Sequence, residues 1–240
     1  GYAVEALGLL DNIRRTNLSY YRSAKLAAMR GAANFLIHRF NDAARDFSAA
    51  ELNNNQEIEY WRGLLADLLG GEKQTLDFLA MDERYIKQYP PVFRQRLSIV
   101  AADRAIANKQ HNVALKIFDS LDKDGILEPI KAYVDFLNAK IASDNGEEER
   151  AMEIWSRLAA QDDNKFVQAR AEFSRILWQL DNNTVTREES MDKLERLRLS
   201  WHGDGLELQV VQLLGDLYME KRDYVNAMRV WQVAVTGFRN

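Results

Sequence analysis

Three histidines, at positions 38, 111 and 202, stand far apart in a chain without cysteine. A zinc site needs three or four nitrogen, sulfur or carboxylate ligands, and no His-Glu-x-x-His pair occurs, so the histidines read as turn residues. The stretch "SLDKDGILEPIK" imitates a calcium loop, with Asp122, Asp124 and Gly125 suitably spaced. Its first ligand position holds Ser120, however, and Lys131 stands where the bidentate glutamate belongs, so a turn capping the next helix is expected instead. Gly70-Gly71 lacks the lysine and spacing of a phosphate loop, and there is no Gly-x-Ser-x-Gly elbow. Carboxylates in "GEEER" (Gly146 to Arg150) and "REES" (Arg187 to Ser190) fall in expected first helical turns, where the macrodipole favours them. Five tryptophans, at 61, 155, 178, 201 and 231, could stack on bases or sugars, but Trp155 and Trp231 sit at core positions of an internal repeat. The reading is therefore of a chain with no catalytic, cofactor or metal site of its own.

The elements that would carry these residues follow from composition. Of the 240 residues 47% are apolar and 28% charged, ample for a buried core, and only three prolines and twelve glycines interrupt long regular segments. Abundant Ala, Leu, Arg, Glu and Asp make those segments helical. No apolar run approaches the roughly 20 residues that span a bilayer, and Gly1 to Leu10 lacks a signal-peptide pattern, so no direct membrane insertion is expected. Net charge is −4 with basic residues dispersed, which argues against a nucleic-acid partner. The absence of cysteine fits any redox compartment.

Internal similarity is the strongest signal. The stretch "LLGDLYMEKRDYVNAMRVWQVAV" orders small Gly215, Tyr218, Tyr224, small Ala227, large Trp231 and small Ala234. The order recurs at Gly31, Phe40, Ala43, Phe47 and Ala50; at Ala102, His111, Ala114, Phe118 and Leu121; and at Ala139, Gly146, Ala151, Trp155 and Leu158. Fainter copies begin near Gly63 and Ala171, and "DNNTVTREE" lengthens the turn of the fifth unit. Each unit reads as two antiparallel helices. Gly215 marks their crossing, where a side chain would hold them apart; the roughly 1 kcal/mol that a helical glycine costs is offset by close packing. Helices are expected over 2–13, 18–37, 41–52, 56–69, 72–87, 91–108, 111–121, 127–143, 147–160, 164–181, 187–199, 205–221 and 223–237.

This order resembles the tetratricopeptide repeat, whose signature runs tryptophan, leucine-glycine, tyrosine, alanine, phenylalanine, alanine, proline. The last unit matches it at Leu214, Gly215, Tyr218, Tyr224, Ala227, Trp231 and Ala234; in the first, Arg30 and Asn34 replace the leucine and tyrosine. The resemblance implies an all-α fold, a single right-handed α-solenoid over 1–240. Its approximate repeats are 18–53, 56–89, 91–125, 127–161, 164–200 and 205–240, with 1–15 an orphan second helix of a preceding repeat. It also implies that a protein or peptide lies along the concave face of the first helices, at Lys25, Tyr60, Asp67, Arg96, Asp103, Tyr133, Lys140, Arg175, Gln212 and Asp216. Ala28 and Ala32 stand where chaperone-binding relatives carry a lysine and an asparagine, which argues against a chaperone-tail receptor.

The expected role is a non-enzymatic interaction scaffold. The alternative is a helical accessory module of a larger enzyme such as a bacterial cell-wall hydrolase, with catalysis elsewhere. Segments such as "EALGLL" and "EIEYWRGLLADLLG" also resemble repeat segments of large bacterial proteins, some envelope-associated, which points to a periplasmic or envelope setting. Apolar residues spread around both terminal helices, including Val4, Leu7, Leu9, Leu10, Val233 and Val235, so self-association through exposed end helices is expected.

Overall fold

The computed structural model describes residues 2–37, 39–68, 85–202 and 205–237. Among them the chain is all-helical, with no strand. Thirteen α-helices are described: α1 Tyr2–Thr16, α2 Leu18–Tyr21, α3 Ala24–Leu36, α4 Phe40–Phe47, α5 Gln56–Leu68, α6 Pro91–Ala107, α7 His111–Asp124, α8 Glu128–Asp144, α9 Glu148–Ala160, α10 Lys165–Asp181, α11 Arg187–Ser200, α12 Gly205–Glu220 and α13 Tyr224–Gly237. Short 3-10 turns stand at Ala50–Leu52 and Ile86–Gln88. The expected helix over 72–87 falls mostly outside the described residues, as do His38 and Gly70-Gly71. The chain forms two compact units, Gly1–Asp119 and Ser120–Asn240, with the boundary inside α7.

Two helices expected to be continuous are interrupted, both in the first unit. The stretch 18–37 breaks at Arg22 and Ser23: Asn17 caps the short α2 through the Tyr20 amide at 3.0 Å, and Ser23 turns extended (φ −63°, ψ 150°). The Tyr21 carbonyl is taken by Arg30 Nη1 at 2.5 Å. The stretch 41–52 breaks after Phe47, where Ser48 Oγ donates back to the Ala44 carbonyl at 2.7 Å. The Phe47 carbonyl is taken by Arg62 Nε and Nη2 at 2.9 and 2.7 Å. At each break an arginine from a later helix accounts for a carbonyl that helix continuation would have satisfied.

Consecutive helices pack as hairpins: α3 on α4 in the first unit; α8 on α9, α9 on α10, α10 on α11, α11 on α12 and α12 on α13 in the second, where α8 also touches α10. The turns that follow α3, α6, α8, α10 and α12 share one hydrogen bond. The amides of Arg39, Gln110, Glu147, Thr184 and Asp223 each donate back five residues, to the carbonyls of Asn34, Ala105, Ala142, Gln179 and Tyr218, at 2.8–3.0 Å. The residue between helix and bond is left-handed at Lys109, Gly146, Asn183 and Arg222 (φ 61°, 83°, 54° and 62°), which makes each a Schellman end.

These turns set a common register. Three residues before the acceptor carbonyls stand Gly31, Ala102, Ala139, Ile176 and Gly215, all buried. The residues just before the second helices are Arg39, Gln110, Glu147, Thr186 and Asp223, and four further on come Ala43, Ala114, Ala151, Ser190 and Ala227, every one 0% exposed. Another four on come Phe47, Phe118, Trp155, Leu194 and Trp231. A Cβ on Gly215 would lie 2.0 Å from Nε1 of Trp231, and one on Gly31 would lie 2.7 Å from Cε1 of Phe47. Glycine is required at both. Between α10 and α11, where the turn runs longer, the small place falls on Ile176 rather than the expected Ala171, and Leu194 takes the place of the ring. There the larger residue of the first helix goes with a smaller one on the second, the sense in which core exchanges are tolerated.

Gly215→Ala is expected to destabilise the protein by about 1–3 kcal/mol through overpacking, while leucine at exposed Lys221 is close to neutral. Adding Trp231→Leu to Gly215→Ala should recover part of the loss. Urea unfolding of the four variants measures the coupling, and a double variant that loses at least the sum of its singles would refute the pairing.

Candidate polypeptide-binding surface

The residues expected on one exposed face do not all reach it. Lys25 in α3, Arg96 in α6 and Gln212 and Asp216 in α12 are exposed; Asp103, Tyr133, Lys140 and Arg175 are half-buried. The side chain of Asp67 lies outside those described. Tyr60 is a correction, for it is 2% exposed. Its helix α5 buries Ile58, Tyr60, Trp61, Leu64 and Leu65, which at about 100° per residue share one side of the helix, with Tyr60 at the edge of that side. At the centre of that packing the Trp61 ring meets Phe35, Phe47 and Phe93 at 5.1, 5.4 and 5.7 Å.

The turn register also moves two of these assignments. Nine residues before the acceptor carbonyls stand Lys25, Arg96, Tyr133, Arg170 and Gln209, so Arg170 and Gln209 are the counterparts of Tyr133, rather than Arg175 and Gln212. Arg175 corresponds instead to Arg30 and pairs with Glu172 on its own helix at 2.7 Å. Gln212 corresponds to Phe136 and Phe173, 5% and 7% exposed.

In the second unit this register exposes a strip of aromatic and cationic groups. The Tyr133 ring stacks on Phe136 of α8 at 5.9 Å and meets Phe166 of α10 edge-on at 5.2 Å. Phe166 in turn meets Trp201, the residue ending α11, at 5.9 Å. The Arg170 guanidinium lies 3.5 Å from the Phe166 centroid and 5.7 Å from that of Trp201, and Lys140 Nζ lies 6.0 Å from that of Phe136. Tyr133, Phe166, Trp201 and Arg170 are all half-buried, so their rings are fixed by neighbours while retaining a wet edge. Phe166 and Arg170 were not singled out in the sequence, although their spacing of four on one helix is the signal that could have found them. Trp201 adjoins them only through the turn that follows α11.

The first unit contains a polar cleft between α1, α3 and α4. At its base Asp46 Oδ1 accepts from Arg30 Nε and Nη2 at 3.0 and 2.8 Å, and Oδ2 accepts from Asn34 at 3.1 Å. The Tyr21 ring lies 4.1 Å from the same guanidinium. Arg30 and Asp46 are matched to each other inside the fold, so this pair serves to hold α3 to α4.

Two further carboxylates are held by their neighbours in the fold. Burial raises the Glu57 carboxyl above its ordinary value, with the Tyr89 hydroxyl donating to it. The Thr186 amide and hydroxyl hold Glu189 below the usual carboxylate range; the two residues form a capping box at the start of α11. Among the described residues no three His, Asp or Glu side chains gather as a metal site would require. His202 Nδ1 lies 3.2 Å from Glu207 at the surface. The Asp122–Gly125 turn ends α7, with Gly125 at φ 78°, and Leu127 gives α8 no side-chain cap, contrary to the expected capping role. No protein-family model, curated protein or solved structure matches the chain.

Arg170→Met is expected to lower stability by about 0.5–2 kcal/mol through loss of the cation over the two rings, with Arg170→Lys retaining part of it. Urea unfolding checks this against Arg196→Met at an exposed position, and equal losses at both would show that the stacking contributes nothing.

Proposed function

We propose that the chain is a non-enzymatic protein-interaction scaffold, a right-handed α-solenoid of tetratricopeptide-like repeats that binds a polypeptide along its first helices. The observation that carries this reading is the half-buried strip of Tyr133, Phe166 and Trp201 with Arg170 and Lys140, spread over α8, α10 and the end of α11. Interface centres are rich in aromatic residues and arginine, held so that little side-chain entropy is lost on binding. Lys140 and Arg170 flank the rings with positive charge, which suits a segment with apolar anchors and acidic neighbours. The recurring Schellman turn and its small-against-large crossing support the repeat assignment. Among the described residues no helix is long and apolar enough to cross a membrane.

With a partner captured by photocrosslinking at Gln209, Tyr133→Ala is expected to weaken binding by about 2 kcal/mol, the loss typical of a hot spot. Glu153→Ala, on the outer face of α9, should do little. Crosslinks that map to that outer face would refute the choice of surface.

As a non-enzyme the protein should show no melting shift with zinc, calcium or ATP, whereas a true ligand at 100 times its dissociation constant adds about 2.7 kcal/mol. A saturable shift with any of the three would return the enzyme reading.

A further inference from the structure

The second unit shows twice how the second helix of one hairpin is covered by the first helix of the next. At the start of α9, Glu148 accepts from the Trp178 indole of α10 at 3.2 Å, and further along the Ala159 carbonyl accepts from Gln168 at 3.1 Å. At the start of α11, Arg187 pairs with Glu220 of α12 at 2.8 Å, and Met191, 7% exposed, packs in one core with Val210 and Leu214. In the turn register the first position of these helices is Glu148, Arg187 and, in α13, Tyr224. The fifth is Met152, Met191 and Met228.

The same methionine therefore recurs three times, and its surroundings differ only in the last. Met152 is half-buried and Met191 buried, but Met228 is 64% exposed; the two first positions are exposed in all three helices, charged as Glu148–Glu149 and Arg187–Glu188 but apolar as Tyr224 and Val225 in α13. We propose that this face of α13 is a docking site for an amphipathic helix of a protein partner, seated as α12 sits on α11. The occupant's chemistry follows from what covers the equivalent face. Helix α12 offers an aliphatic stripe, Leu206, Val210, Leu214 and Leu217, and its charges are the acids Glu207, Asp216 and Glu220, with no base. Arg222 and Arg229 border the open face of α13, so the incoming helix carries aliphatic residues three and four apart and an acidic flank. This inference rests on the turn register and not on the aromatic strip, so either can fail alone.

The probe is a lactam-stapled, fluorescein-labelled peptide of sequence 205–220, titrated with the full chain and followed by anisotropy. Saturable binding is expected, weakened at least tenfold by the double substitution Tyr224→Glu, Met228→Lys and unaffected by Leu199→Glu, another exposed apolar position. Circular dichroism melts, unchanged in both variants, separate lost docking from lost fold; should the double variant melt early, Tyr224→Ser, Met228→Gln replaces it under the same criteria. Absence of peptide binding, or equal binding by the folded double variant, overturns the proposal. Light scattering that shows dimers abolished by the same substitutions also overturns it, in favour of a second copy as occupant.

Discussion

The packing of this protein depends on how closely two antiparallel helices can approach at one crossing. Where the first helix carries glycine, as at Gly215 and Gly31, the ring of Trp231 or Phe47 lies against its backbone, too near for any side chain. Alanine at positions 102 and 139 stands in register with Phe118 and Trp155, and Ile176 with Leu194. In four of the five pairs a small residue goes with a ring, because close-packed interiors tolerate neither a void nor an overlap. The invariant element beside it is the small residue of the second helix, 0% exposed in all five described hairpins. A larger side chain there would have no counterpart to shrink.

That crossing also sets where the remaining side chains go. Once two faces of a first helix are committed to its own partner and to the next hairpin, the residues nine before the turn acceptor are left at the edge of the packing. In α8 and α10 those residues are Tyr133 and Arg170, and their rings and guanidinium meet each other across the helices. The polar groups of the first unit show the opposite use of charge. There Arg30 and Arg62 satisfy carbonyls freed at helix breaks, and Asp46 is saturated by Arg30 and Asn34. Charges spent on backbone carbonyls and on one another have little left for a ligand, which is why the candidate surface lies among the aromatics of the second unit.

The helical boundaries were legible in the sequence because they rest on local chemistry. Gly146 after α8 and the Thr186–Glu189 box before α11 are signals confined to one turn, and the structure places helix ends beside them. The two misjudged boundaries, at Arg22 and Ser48, lack such signals: the freed carbonyls at those breaks are taken by Arg30 and Arg62, from later helices. The small residues at the crossings were also visible, since Gly31 and Gly215 recur in one order; that the Trp231 ring itself overlies Gly215 was not, because Ala227 stood as the expected match. Between α10 and α11 the longer turn and Ile176 in the small residue's place hid the register.

By itself, then, the sequence determined the helical class, nearly every helix, and the glycine at the helix crossing, because propensity, turn chemistry and spacing all act within a few residues or at a fixed interval. Only the tertiary structure decided which polar and aromatic side chains remain at the surface. Tyr60 looked like a surface residue and is buried because it falls at the edge of the packed side of α5; Arg175 and Gln212 yield to Arg170 and Gln209 because each place is counted from its own hairpin's acceptor carbonyl, which fixes the rotation of the helix about its axis. A shift of three or five residues turns a helical side chain to another neighbour, and that rotation is set by the contacts of helices distant in the chain.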